Sequence, residues 1–549
     1  MNKDTTIMIL AAGKVPQEFS SVFGDLPSAL VPVNNRPAIF WTIEKFINDG
    51  FNKFIICVGY KKNKVKSFVE NNFGEKANID FVDVDFRKKP GSSFMSGLER
   101  IKTKKLLVIL GDTFIYNKVV LEDDFILTSK NFLKEESYRW ALVVDKDGYV
   151  DKIFDKKKNV PDDKNLKLII GVYYFSNVRL LKKCTNLFKN QNIEISEIIK
   201  KYNKFKKMKV VDYDDWFDFG HLDKYYSSEK KLLSYKTRYF NFLDYNDVFG
   251  FITKKSQEEK KLNNEIDWYL SIPKELSILT PRLVNYKKGK KPFLSLEYYS
   301  YQTLSELYVF GEVNEYVWKN VIDRIIRILN IFQKHRGKVT MDEYYKIYFE
   351  KLESRINQLL ESNKKFKNMF KMDQILINDK KYLNYNVLKK DIFSKVKELY
   401  SEKDNCFLHG DFCFSNILYD VKSGIIRLID PRGKWADSSF GDIKYDIAKL
   451  RHSIVGQYDF IVNNLFSVKI KDNNIKYKIF NNKRYFFLSD YFDNKIKEHW
   501  SLNNIKFIEG LLFLSMLPLH NDYFDRQLVM YAIGIQRINE VLNNKNRTL

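Results

Sequence analysis

In the segment CFLHGDFCFSNILYDVKSGIIRLIDPRG, Asp411 and Asn416 stand five residues apart, and Asp430 closes the apolar run Ile425–Ile429. Phosphoryl transfer needs little covalent work from a protein. One carboxylate orients and deprotonates the acceptor hydroxyl, while an amide and a second carboxylate hold Mg2+ on the phosphates of ATP. Asp411, Asn416 and Asp430 suit those roles in that order. The competing reading is a turn in which Asp and Asn satisfy nearby backbone groups.

A second set lies near the N-terminus. The apolar run Thr6–Leu10 leads directly into Ala11, Ala12 and Gly13, whose small side chains let backbone amides approach a base or a phosphate. In open, mostly parallel sheets ligands collect beyond the carboxyl ends of the strands, which selects the loops beginning at Ala11 and Gly111.

The elements that position these residues follow from hydrophobic periodicity. Thr6–Leu10, Lys53–Val58, Asp80–Val84 and Lys105–Leu110 read as strands, and Pro37–Asp49 and Ser92–Ile101 as helices. That alternation predicts an α/β unit. Around residues 236–250 the pattern changes to short strand-like runs near Asp247–Thr253 and Leu294–Tyr299. Amphipathic helices follow, such as Val317–Gln333 and Tyr344–Leu360, then the strand-loop-strand segment Phe407–Asp430 and more helices to the end. With 549 residues, two units are expected, 1–235 and 236–549.

Composition narrows the partners. The chain carries 93 Lys and Arg against 69 Asp and Glu, a formal charge of +24, which favours anionic ligands. The lysines are spread along the chain, and no helix-turn-helix, zinc-finger or aromatic RNA-binding signature accompanies them, so nucleic acid is not expected. Cys57, Cys184, Cys406 and Cys413 form no CxxC pair or metal cluster with histidine, so structural zinc is not expected either. The apolar run at the start is too short for a signal peptide, and no window of about 20 uncharged apolar residues is found. A reduced, cytoplasmic setting is the expectation, and homo-oligomerisation is left open.

The HGDxxxxN pattern followed by a strand ending in Asp resembles the aminoglycoside phosphotransferase and choline kinase group, relatives of protein kinases. The resemblance implies a bilobal, protein-kinase-like α+β fold, with a small lobe at about 240–312 and a helical large lobe at about 313–549. It implies that Lys254 or Lys255 pairs with Glu265 and with the ATP phosphates. LEYYSYQTLSEL, residues 296–307, resembles the hinge that receives adenine, and GDIKYDIAKL, residues 441–450, the segment that supports the catalytic loop. The chain departs from the pattern in having Gly250 alone where a glycine-rich nucleotide loop is usual. Arg432, just after Asp430, is either an acceptor contact or a structural arginine.

IMILAAG, LPSALVPVNNRPAIFWTIEKF, PGSSFMSGL, LGDTF, IIGVYYFS and WFDFGHLDKY resemble, in order, segments of the sugar-phosphate and phosphocholine nucleotidyltransferases. A doubly wound mixed sheet is implied. So are Asp112 and Asp218 as Mg2+ ligands, Gly91 and Ser92 on the nucleotide side, and Gly171 beside the alcohol or sugar phosphate. The family usually carries GxGxR after LAA and a lysine in PKAL. Here Gly13-Lys14-Val15 and Pro27-Ser28-Ala29-Leu30 stand instead, leaving Lys14, Arg36 or Lys224 as replacement cations. His221 reads as a satisfied structural histidine.

Together these readings predict a bifunctional enzyme. The C-terminal domain would phosphorylate a small alcohol with ATP, and the N-terminal domain would transfer CMP from CTP to the resulting phosphate. The product would be a CDP-activated polyol, glycerol, choline or ethanolamine for surface glycan synthesis. Choline would need an aromatic or acidic box, for which Trp268, Tyr298, Tyr299 and Trp435 are the aromatic candidates. The alternatives are a single active domain, the other serving to bind substrate, and a nucleotide-binding scaffold without turnover.

Overall fold

Apolar residues on both faces make Thr5–Ala11 a central strand, and in the computed structural model every one of its residues is buried. The structure describes residues 4–132, 134–188, 191–235, 241–471, 473–481 and 486–542. It forms two compact units, Met1–Leu232 with Phe310–Glu312, and Leu233–Val309 with Val313–Leu549. The boundary expected at 235/236 abuts residues 236–240, which lie outside the described residues.

The first unit is built on a nine-stranded sheet in the order Asn78–Asp83, Lys53–Val58, Thr5–Ala11, Lys105–Leu110, Leu166–Phe175, Phe125–Ser129, Lys209–Asp212, Tyr149–Asp155, Ala141–Lys146. Its first four strands are parallel, with Ile7 opposite both Phe54 and Leu107. Beyond them the sheet turns antiparallel, apart from the parallel pair Phe125–Ser129 and Lys209–Asp212. The sheet is thus mixed, and the helix-linked parallel part ends at Lys105–Leu110.

Helices cover the parallel strands with their apolar stripes. Ala38–Asn48 buries Ala38, Ile39, Thr42, Ile43 and Phe46, the spacing of one helical face. Pro90–Arg100 starts on a proline, whose missing N–H is no loss in a first turn. The ten-residue strand Leu166–Phe175 carries a bulge between Ile169 and Tyr173. Gly171 lies in it with φ +83°, and a Cβ there would stand 2.6 Å from the Leu110 side chain.

The second unit opens on a four-stranded antiparallel sheet, ordered Asn241–Asn246, Phe251–Ser256, Phe293–Glu297, Leu283–Lys287. The strand expected at Asp247–Thr253 is instead a turn followed by a strand: Asn246 accepts from Gly250 N, and Gly250 adopts φ +66°. Helix Glu259–Ser271 follows the second strand and buries Leu262, Glu265, Ile266, Trp268 and Tyr269. Short strands Ile417–Tyr419 and Ile426–Leu428 pair across the Asp411–Asp430 segment.

Helices Glu315–Lys334, Ile443–Ile454, Leu502–Met516 and Phe524–Leu542 form the bulk of the unit. The single helix expected at Tyr344–Leu360 is broken into Met341–Tyr345, a π-helical turn Lys346–Glu350, and Lys351–Ser362. The C-terminal region also departs from the all-helical expectation, because Gln374–Ile377, Lys380–Leu383, Phe466–Lys471 and Asn474–Ile479 make a sheet. Leu502–His520 is long and apolar enough to cross a membrane, but 67% of it is buried inside the protein. Its Glu509 is fully buried and paired with Arg451.

Candidate functional sites

In the first unit the carboxyl ends of the parallel strands converge. Gly111 N donates to Leu10 O at 2.9 Å, and a Cβ at Gly111 would meet Ala11 Cα at 2.8 Å. Tyr60 N donates to Ala12 O at 2.9 Å, and Ser28 N to Gly13 O at 3.0 Å. The small residues Ala11, Ala12, Gly13 and Gly111 therefore sit where three strand ends come close.

Asp112 follows Gly111. The short strands Thr113–Ile115 and Trp216–Asp218 pair antiparallel with Asp218 opposite Thr113, which brings the two aspartates together. A Cβ on Gly220 would lie 2.9 Å from Asp112 Oδ2 and 3.3 Å from Asp218 Oδ1, so only a glycine leaves room between them. Burial, and then the charge of Asp218, push the Asp112 carboxyl up to about 6. A carboxylate whose ionisation is made costly by burial and by a neighbouring carboxylate is what a divalent cation relieves, and Mg2+ is commonly held by one or two carboxylates with substrate phosphates completing its shell. Asp112 and Asp218 fit that donor set.

Two neighbours add to this pair. Ser28, the residue in place of the PKAL lysine, hydrogen-bonds Asp112. His221 Nδ1 stands 2.8 Å from Asp218 Oδ2, and the ring packs on Trp140 at 4.3 Å. Burial opposes the charging of His221, but the hydrogen bond and charge of Asp218 outweigh it and raise the imidazole above its ordinary value. The histidine is thus satisfied, as expected, yet its partner is a site carboxylate. Sequence offered a signal in the three-residue spacing of Asp218 and His221.

Other expected residues lie elsewhere in the unit. Lys14 pairs with Asp25 at 2.9 Å near the Tyr60 ring, and both side chains are exposed. Gly91 is buried, its open face against the backbone of Ile193 and Glu194. Ser92 donates to Gln191 O at 3.1 Å and lines a cavity of about 490 Å³ with Asp83, Lys88, Glu99 and Lys182. Neither Asp112 nor Asp218 lines that cavity. Arg36 stacks on Phe40 at 4.9 Å.

In the second unit, Lys254 bridges Glu265 at 2.8 Å and Asp430 at 2.9 Å. Lys255 on the same strand is exposed, so the alternation of the pleat settles the choice on Lys254. Burial, then the opposing pull of Lys254 and the repulsion of Asp430, leave Glu265 at about 7. Asp430 takes a left-handed φ of +53° at the end of its strand.

Asn416 Nδ2 donates to Asp411 O at 2.9 Å and to Asp411 Oδ2 at 3.1 Å. Asp411 is also paired with Lys449 at 2.9 Å. Burial opposes ionisation of Asp411, but Lys449 overcomes it and holds the carboxyl down at about 2. Such a group orients a hydroxyl as an acceptor and takes its proton late in transfer. His409 is buried and held neutral, near 4, with Nε2 3.0 Å from Ile429 O.

The loop is fixed from below. Asp446 accepts from His409 N and Gly410 N, both at 2.9 Å, which gives GDIKYDIAKL a supporting position. Gly410 has φ +78°, and a Cβ there would be 2.9 Å from Arg432 Cβ. Arg432 Nη1 donates to the Tyr445 hydroxyl at 2.8 Å. Lys449, Asp446 and Tyr445 were not singled out from sequence, although Lys449 follows Asp446 by three residues and Tyr445 by four, which sets it beside both on one helix.

No protein-family model matches the chain. Its N-terminal part is similar to D-glycero-alpha-D-manno-heptose 1-phosphate guanylyltransferases. That of Aneurinibacillus thermoaerophilus is 22% identical over 241 residues, 41% of this chain and 98% of the relative. That of Campylobacter jejuni serotype O:2 is 25% identical over 231 residues, 40% of this chain and 96% of the relative. Among solved structures, UDP-glucose pyrophosphorylase complexed with UDP-glucose aligns at 17% identity and TM-score 0.35 over 42% of this chain and 99% of that one. HddC from Yersinia pseudotuberculosis complexed with GMP-PN aligns at 19% identity and TM-score 0.33 over 41% and 99%. The N-terminal part of the chain thus has its relatives among nucleotidyltransferases of sugar phosphates.

Proposed function

We propose that the chain is a bifunctional transferase. The second unit moves the γ-phosphoryl group of ATP to a hydroxyl of a small alcohol, and the first transfers CMP from CTP to an alcohol or sugar phosphate with release of pyrophosphate. A CDP-activated building block for surface glycans is the product. The reading of the first unit rests on the close Asp112–Asp218 pair at converging strand ends, together with the similarity to heptose 1-phosphate guanylyltransferases. That of the second rests on Lys254 meeting the buried Glu265 and the exposed Asp430 in one ion network beside the Asp411–Asn416 loop.

In the first unit Asp112 and Asp218 would hold Mg2+, which would supply neutralisation of the charge that builds as two phosphates approach. Ser28 orients Asp112, and His221 orients Asp218. The amides around Ala11–Gly13 receive the nucleotide, with Gly91 and Ser92 on its base side and Gly171 beside the acceptor. In the second unit Lys254 steadies the ATP phosphates, and Asn416 and Asp430 are the metal ligands. Asp411 orients the acceptor hydroxyl.

Purified protein given ATP, CTP, UTP or GTP with a panel of alcohols and their phosphates, followed by mass spectrometry, tests both halves. ATP-dependent formation of an alcohol phosphate and CTP-dependent conversion of it to a CDP-alcohol are expected. GTP is the competing donor, because both heptose phosphate relatives are guanylyltransferases. Pyrophosphate release with GTP and not CTP would replace the base assignment, and no nucleotide turnover at all would overturn the enzymatic reading.

A further inference from the structure

Around the ring of Tyr445, next to Asp411, the second unit gathers more positive charge than its carboxylates balance. Lys351 Nζ lies 5.9 Å from the centre of that ring and Arg432 Cζ 5.8 Å from it. Lys449, one turn beyond Tyr445, takes the Asp411 carboxylate at 2.9 Å. Among the described residues neither Lys351 nor Arg432 has a carboxylate within ion-pair distance; Arg432 bonds the Tyr445 hydroxyl. Tyr445 is buried, so these cations are partly withdrawn from water with no anion to offset them.

The side chains report the same field. Burial, with Arg432 and Lys449 adding to it, brings Lys351 down to about 8. Burial alone would raise Tyr445, yet Lys351, Arg432 and Lys449 together bring it down to about 8. The π-helical turn Lys346–Glu350 ends immediately before Lys351, and such turns inside α-helices are frequent at functional sites.

We propose that the acceptor phosphorylated beside Asp411 carries an anionic group, a carboxylate or a phosphate, seated on Lys351 and Arg432 over the Tyr445 ring. This rests on the reading of the second unit as a phosphotransferase and names the substrate class of that site. In the reaction an acceptor hydroxyl oxygen bonds to the γ-phosphorus while the bond from that phosphorus to the β–γ bridging oxygen breaks. ADP leaves, and the hydroxyl proton passes to Asp411. Arginine's planar fork matches either anion, and lysine supplies a point charge.

A quaternary ammonium does not suit this surface, since it would face Lys351 and Arg432, two cations that no carboxylate among the described residues balances. Three of the four aromatic residues that could have boxed it are also committed. Trp268 and Trp435 are buried, with Trp268 Nε1 bonded to Leu408 O at 2.6 Å. Tyr299 already carries Arg427 on its ring at 5.0 Å.

The test uses the full chain with ATP and four acceptors: D-glycerate, glycerol 3-phosphate, glycerol and choline. ADP release should favour at least one of the two anionic acceptors over both others by 100-fold or more in kcat/KM, and the better of the two identifies the anion. Lys351→Met and Arg432→Met should each raise KM for that acceptor at least tenfold, with kcat changed less than threefold. Calorimetric binding of the same four compounds to the protein loaded with a non-hydrolysable ATP analogue reads the preference without turnover. Preference for choline or glycerol in either assay, or unchanged affinity for the anion in both folded variants, overturns the inference. Anion-selective binding with no ADP release from any acceptor supports the anion seat and sinks the phosphotransferase reading instead.

Discussion

Replacing Asp112 by Asn should stabilise the first unit while removing its nucleotidyl transfer. Its carboxyl sits at about 6 against an ordinary 3.8. At about 1.4 kcal/mol per pKa unit, the folded state carries a penalty of up to about 3 kcal/mol once the group is ionised. Asp112 keeps some contact with water, which screens the field and leaves roughly 2 kcal/mol as the working figure. Because the folded-state value is the higher one, the folded protein binds the proton more tightly. The penalty is absent below about pH 4, grows through pH 4–6 and is complete above that. Asn keeps the shape and an acceptor for Ser28 but does not ionise.

At pH 8 the variant should therefore melt about 4–8 °C higher in the transition assigned to this unit. Amide exchange in strands Thr5–Ala11 and Lys105–Leu110 should slow on the order of 30-fold wherever it proceeds by opening of the whole unit. Both gains should vanish near pH 4. Mg2+ with a nucleoside triphosphate should raise the melting temperature of the parent protein and not of the variant. A variant no more stable at pH 8 than at pH 4 relative to the parent would refute the argument that Asp112 is ionised at a cost. Retained pyrophosphate release would refute its placement in the nucleotidyl site.

Asp411→Asn should lower ATP-dependent phosphorylation about 10²- to 10⁴-fold while nucleotide binding persists, as read by ADP release and nucleotide titration; full activity would remove Asp411 from the reaction. Lys444→Met strands Asp404 and Asp442, which lie 2.7 and 2.9 Å from its buried ammonium, and should cost about 3–5 kcal/mol in urea unfolding of the second unit. Gly410→Ala forces a side chain into φ +78° and against Arg432, so a loss of about 1–3 kcal/mol is expected by the same measurement. A further drop in phosphorylation should accompany it, because the strained residue adjoins Asp411.

Sequence carried the positions of chemistry that sit on regular elements. The apolar runs within Thr5–Ala11 and Lys105–Leu110 announce those strands, and the kinase-like pattern narrows the partner of Glu265 to Lys254 or Lys255, of which Lys254 makes the pair. What it did not carry was assembled from several segments. Lys351, Arg432 and Tyr445 come from the start of one helix, a loop and another helix, and their excess charge is visible only when no carboxylate is found beside Lys351 and Arg432. The contact of Ser28 with Asp112 was hidden because a substitution for lysine reads as a loss until its new partner is seen. The hairpin strands Phe466–Lys471 and Asn474–Ile479 alternate apolar and polar residues strictly, so they were legible in FSVKIK and NIKYKI, and the expectation of helices to the end passed over them.

The bridge from Lys254 to Glu265 and Asp430 has a thermodynamic consequence. An ammonium resting on Asp430 occupies the carboxylate that the proposed metal would claim, so the protein carries its own counter-ion in this state. A bare divalent cation must evict that ammonium and strand it, whereas a cation arriving with a triphosphate brings a new anion for the lysine to grasp. Cation and nucleotide are then linked ligands, each tightening the hold on the other by the same factor. Lys254 in effect enforces delivery of the two together.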